Sequence, residues 1–351
     1  MIDTNPRIIT ITKPDDWHIH LRQDQALTTT VRHAAMQFNR VVAMPNCLPP
    51  IVDVQSASKY KNHILAQLPS EYNASFQPLL TIYLTDQTTI DTIKQAAADQ
   101  SIIGAKLYPA GATTNSNNGV TDILKIYHVL EAMEKFHLPL LIHGEVTDSQ
   151  VDIFDREAVF IDTVLMPIRE KFPELKIILE HITTKDAVDF VSDYPKLTGA
   201  TITPHHLLLN RNDLLTNGLK PHYFCLPIIK DQSHQQAVIK AALGGDPRFF
   251  AGSDSAPHLR ANKESGCCPA GIYHGPNTLL FYAEFFDSHK SLDKLEAFVS
   301  FYGADFYDLP RNKDQIKLIN KSFTIVDQYD YLDGSIIPFW AGKELNWDYC
   351  D

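Results

Sequence analysis

Eight short apolar or β-branched runs alternate with longer segments of helical periodicity, and this alternation limits the folds open to the 351-residue chain. The runs are Asp16 to Leu21, Arg40 to Pro45, Phe76 to Leu84, Ile102 to Tyr108, Leu138 to His143, Lys176 to His181, Leu197 to Thr203 and Phe249 to Ser253. Between them lie segments such as LTTTVRHAAMQF, QSASKYKNHILAQL, DILKIYHVLEAMEKF and SHQQAVIKAALG, several preceded by Asp, Ser or Thr at a capping position. The pattern predicts an α/β fold, a TIM (β/α)8 barrel, though an open doubly wound sheet would read similarly. RIITITKP, Arg7 to Pro14, predicts a small extra strand before the barrel. After Asn277 come the helical stretches NTLLFYAEFFDS and LDKLEAFVSFYGADFYD, and the aromatic segment from Ser322 is expected to pack across a barrel end. No repeat or linker composition interrupts the chain, so residues 1–351 are read as one domain.

The formal net charge of -11 argues against a nucleic-acid or anionic-membrane surface. No apolar stretch approaches the roughly 18 residues a membrane span needs, and MIDTNPRIITITKP lacks a leader's apolar run, so a cytoplasmic setting is expected. The five cysteines, Cys47, Cys225, Cys267, Cys268 and Cys350, are odd in number and show no CxxC spacing, which suits reduced thiols.

In a barrel strand the inward positions normally carry Val, Ile or Leu, so polar residues at C-terminal strand ends are informative. In DDWHIHLR, His18, His20 and Arg22 share one strand face while Ile19 and Leu21 take the other. Asn46 ends the second run, Lys106 lies in the fourth, His143 and His181 end the fifth and sixth, and Asp254 follows the eighth with His258 just beyond. Each alone is weak; together, four imidazoles and a carboxylate at one end of one barrel are the donor set of Zn2+ and similar ions. Glu180 beside His181, and His205 with His206, could substitute into the set. An ammonium at Lys106 has no lone pair and would repel a cation, so as a ligand it must be a neutral amine or, chemically better, a carbamate bridging two metals. Pro109 to Val120, PAGATTNSNNGV, is too small and polar to hold itself rigid and reads as a lid or a plain surface loop.

These residues resemble the amidohydrolase superfamily and, within it, the dihydroorotases of the shorter bacterial type. WHIHLR, VVAMPN, GAKLYPAGATTNS, LLIHGE, EHITT, ITPHH and GSDSAPH occur in the order of that family, with KESGCCPAG after the last strand. The resemblance implies His18 and His20 as ligands of a buried zinc and His143 and His181 as ligands of a more exposed one. It implies Lys106 as the carbamylated bridge, and Asp254 as both ligand and proton shuttle. It assigns Arg22, Asn46 and His258 to a substrate carboxylate, the backbone near Leu226 and Ala270 to the edges of the substrate ring, and Thr113 and Thr114 to a mobile lid. The implied reaction is the reversible, zinc-dependent hydrolysis of dihydroorotate to N-carbamoyl-L-aspartate, in a homodimer. A hydantoinase or dihydropyrimidinase is the near rival, set back by Arg22 and Asn46. A mononuclear deaminase would not need Lys106, and a non-catalytic scaffold would lack ligands.

Overall fold

The computed structural model describes residues 7–72 and 75–350; the first six residues of the stretch read for a leader lie outside them. Strand β1 (Ile8–Thr12) precedes eight further strands: β2 (Asp15–Ile19), β3 (Arg40–Ala43), β4 (Gln77–Tyr83), β5 (Ile102–Leu107), β6 (Leu140–Ile142), β7 (Ile177–Leu179), β8 (Thr198–Ile202) and β9 (Phe249–Ala251). β2 to β9 form one sheet in sequence order with every neighbour parallel. The ends meet: the Asp254 amide donates to the His18 carbonyl at 2.8 Å and the His20 amide to the Ser255 carbonyl at 3.1 Å. That contact closes a barrel and rules out the doubly wound alternative. Each strand stops one or two residues before the run that predicts it. The runs overshoot because their last residues leave the ladder to face the barrel mouth.

Capping fixes several helix starts where the sequence predicts them. Asp53 forms a capping box with Ser56 ahead of helix Val54–Ala66, and Thr89, Thr184 and Asp231 each accept a backbone N–H at the start of their helices. The stretch LDKLEAFVSFYGADFYD is helical from Leu292 to Phe306 but not uniformly α: it opens on a 3-10 turn at Leu292–Lys294 and carries a π turn at Ala297–Phe301 ahead of Tyr302–Phe306. No helix among the described residues is long and apolar enough to cross a membrane.

Inside the barrel, Trp17, Val42, Leu79, Leu141, Ile178 and Phe250 pack with Tyr307 into an apolar plug. Trp17 stacks on Tyr307 with ring centroids 4.8 Å apart. The plug fills the N-terminal half, so any polar site is confined to the C-terminal half. Strand β10 (Gln315–Ile319) pairs antiparallel with β1 and with Asp348–Tyr349. The aromatic segment after Ser322 folds into short hairpins. Tyr331 and Leu332 line the barrel mouth beside Arg22. Ile336 packs against Tyr273, and Phe339 stacks edge-on with Phe281. Phe339 also packs edge-on against His274, in the loop that follows β9.

Gly303 lets its helix lie directly on the Trp17 indole, where an added Cβ would overlap the ring. Gly303→Ala is expected to lower stability by about 1–3 kcal/mol through overpacking, read as a shift in the denaturation midpoint at constant slope.

Candidate metal centre

His18, His20 and Asp254 each bring a ligand atom within 4.8 Å of the other two, all buried. His18 sits on β2, His20 just past it, and Asp254 three residues past β9. His143 and His181 follow β6 and β7. Their rings lie 4.9 Å apart between centroids, and His181 lies 5.0 Å from His18. Lys106 projects from β5, wholly buried, its Nζ without a hydrogen-bond partner. Its ammonium end therefore does not reach solvent at the barrel rim. Burial pushes its pKa down to about 8 against the pull of Glu180 and Asp254, which enlarges the share of neutral amine.

Carboxylates behind the histidines set their tautomers. His18 Nδ1 meets Glu180 at 2.8 Å, and His143 Nε2 meets Glu145 at 2.6 Å. Each nitrogen donates to its carboxylate, which leaves His18 Nε2 and His143 Nδ1 as lone pairs, the arrangement used to orient metal ligands. Glu180 is itself held by the Thr201 hydroxyl at 2.6 Å. His18 Nε2 and His181 Nδ1 are buried without partners, unspent donor atoms of the kind a cation would take up.

His20 is the decisive case. Asn46 gives its Nδ2 to the Thr114 carbonyl at 3.0 Å, so its Oδ1 faces His20 Nδ1 at 2.8 Å and must accept. His20 Nε2, then a lone pair in the neutral ring, lies 2.9 Å from an Asp254 oxygen. Burial opposes ionisation of Asp254, yet the neighbouring His18 and His20 rings hold its pKa well below the usual carboxylate range. Burial pushes His20 down to about 4, so a doubly protonated ring does not resolve the contact near neutral pH. A cation held by both atoms does. The residues therefore fit a metal centre on their own geometry.

Above this cluster lies a small, narrow cavity lined by His20, Arg22, Asn46, Thr113, Thr114, His143, His181, Leu226, Asp254 and Ala270, with Tyr108. His258 stands at its edge, its Nε2 2.9 Å from the Ala270 carbonyl and 3.1 Å from Arg22 Nη2. Burial and the Arg22 charge keep His258 neutral, with a pKa well below the usual range. One nitrogen cannot both donate to Ala270 and accept from Arg22, and Arg22 Nη1 has no partner at all. The cavity wall thus carries guanidinium N–H groups in need of an acceptor. The Pro109 to Val120 segment is folded down over the cavity: Thr114 Oγ1 donates to the Ala270 carbonyl at 3.1 Å and Asn115 Nδ2 to the Asn46 carbonyl at 3.0 Å.

Glu180 joins the cluster as support for His18. His205 and His206 stand apart with Cys225. Both ring nitrogens of His206 are engaged, by Thr203 Oγ1 and the Pro227 carbonyl, which leaves it no free lone pair. Sequence reasoning missed Glu145 and Tyr108, two residues beyond His143 and Lys106; the period of two that found the histidines would have found them.

The amidohydrolase family model matches residues 11–327, and the chain belongs to that family. Within it, a dihydroorotase of Idiomarina loihiensis is 53% identical over 339 residues, 97% of this chain and 98% of the relative. A dihydroorotase crystal structure from Campylobacter jejuni superposes with a TM-score of 0.90 at 34% identity, covering 99% of both chains. One from Saccharomyces cerevisiae, in complex with 5-fluoroorotic acid, gives 0.89 at 33% identity over 98% of each.

Glu180→Gln is expected to weaken metal retention by about 10–100-fold, because the carboxylate that fixes the His18 tautomer is lost. Competition with a chromogenic chelator measures it; unchanged retention would remove Glu180 from the site's support.

Proposed function

We propose that the protein is a dihydroorotase, interconverting dihydroorotate and N-carbamoyl-L-aspartate in pyrimidine biosynthesis. Near full-length likeness to dihydroorotases supports the activity. The observation that carries the site assignment is the His20–Asp254 contact, which calls for a cation beneath a cavity that offers unspent Arg22 donors. The reading includes two zinc ions per chain, held by His18, His20, His143, His181, Asp254 and a carbamate formed on Lys106. The lowered pKa of Lys106 supports the carbamate, since a neutral amine is the form that adds CO2. A homodimer and a cytoplasmic setting belong to the same reading, the latter supported by five cysteines that are all free thiols.

Bound there, the metals would supply an activated water and polarise the amide carbonyl. Asp254 holds the proton of the attacking water on a carboxylate oxygen and delivers it to the departing ring nitrogen, base then acid in one residue. Its lowered pKa keeps it ionised at the start of the cycle. Arg22 takes the substrate carboxylate through its unspent N–H groups, with His258 and Asn46 beside it. The backbone at Leu226 and Ala270 meets the amide edges of the ring, and the Thr113–Thr114 tip excludes water and adds hydroxyl donors. The carboxylate grip separates this reading from a hydantoinase, whose substrate ring has no carboxylate for Arg22 to hold.

The deciding experiment is turnover of dihydroorotate before and after chelation, repeated with Lys106→Ala. Activity is expected to vanish on chelation, return with Zn2+ in the parent protein and stay absent in the variant; chelation-insensitive turnover overturns the reading. Arg22→Ala is expected to raise KM for dihydroorotate about 10- to 100-fold, the worth of a charge-assisted hydrogen bond. Steady-state kinetics in both directions checks it.

A further inference from the structure

Behind the cavity wall lies a buried cation that the reaction does not use. Lys263, only 3% exposed, ends the short helix Arg260–Lys263. Its Nζ donates to three backbone carbonyls: Phe224 at 2.8 Å, Pro269 at 2.9 Å and Gly271 at 2.8 Å. All three ammonium donors are thereby spent, and among the described residues no carboxylate forms an ion pair with it. A buried charge without a counter-ion is costly and persists where its hydrogen bonds define something. The three carbonyls come from two segments far apart in sequence, Phe224 just before Leu226 and Pro269–Gly271 on either side of Ala270. Those segments carry the backbone edges of the cavity. They also touch directly, the Gly271 amide donating to the Phe224 carbonyl at 3.0 Å. Ala270, between two anchored neighbours, presents the carbonyl that receives both His258 and Thr114.

We propose that Lys263 is a positioning residue: by binding the carbonyls of Phe224, Pro269 and Gly271 together, its ammonium sets the spacing of the backbone edges that hold the substrate ring and the seat on which the Thr114 tip closes. The inference rests on the dihydroorotase reading of the cavity. Its effect falls on substrate binding rather than on the chemical step, because the candidate metal ligands are fixed by the barrel strands and by Glu145 and Glu180, none of which Lys263 touches.

The test uses the metal-loaded full chain and two variants. Lys263→Met keeps the length of the side chain and removes every donor; Lys263→Gln keeps an amide NH2 with two. For Lys263→Met, KM for dihydroorotate is expected to rise about tenfold or more, as the loss of charged hydrogen bonds predicts, with kcat within about threefold and metal content unchanged. Lys263→Gln is expected to recover part of that loss. Should Lys263→Met fail to give a cooperative melt, Lys263→Gln decides, with a raised KM at unaltered metal content as the supporting result. An unchanged KM in a folded, metal-loaded variant overturns the proposal, as does a parallel fall of kcat and metal content with KM unmoved. Failure of the dihydroorotase reading would show separately, as absence of turnover in the parent protein.

Discussion

The contact that closes the barrel also assembles the site. β9 and β2 meet at the Asp254 amide and the His18 carbonyl, while the side chain of Asp254 reaches back to His18 and His20. Ser253, one residue earlier, ties its amide to the Asp16 carboxylate at 2.8 Å and so pins the same seam one layer lower. Closure and ligand convergence are one event. A shift in the seam would move Asp254 away from both histidines together.

The convergence is bought with backbone strain. Asp254, His181 and Arg22 have φ of 47°, 42° and 62°, a left-handed conformation unfavourable for side chains with a Cβ. At His181 the turn has a definite result. Glu180, one residue past β7, continues the inward parity of Ile178, and a regular strand would send the next residue outward. The positive φ swings His181 back over the mouth, so consecutive residues both serve the site, Glu180 beneath His18 and His181 beside His143. Rigid neighbours sustain this geometry, chiefly the aromatic plug below and the Thr201 hydroxyl, which receives no freedom once it bridges Glu180 and the His181 amide.

Much of this was legible in the sequence. The eight runs and the polar residues at their ends mark the barrel and its working end, since strand periodicity is local and survives without tertiary information. The closeness of His18, His20, Lys106, His143, His181 and Asp254 follows from barrel topology once the strands are placed. What period-two reasoning could not resolve was the parity of Glu180 against His181, because that depends on a single strained φ. Lys263 was equally hidden: a lysine in KESGCCPAG reads as a solvated charge until the carbonyls of Phe224, Pro269 and Gly271 are seen around it. The plug residue Tyr307 directly follows the helix Tyr302–Phe306, whose meeting with Trp17 is wholly nonlocal.

Asn46 links the loop above to the cluster below. Its Oδ1 fixes the proton on His20 Nδ1, and its Nδ2 and main-chain carbonyl bind the loop at Thr114 and Asn115. The two roles use different atoms. Because the Thr114 carbonyl takes Nδ2, the amide is turned with Oδ1 toward His20, so the loop contact and the His20 tautomer are coupled through one side chain.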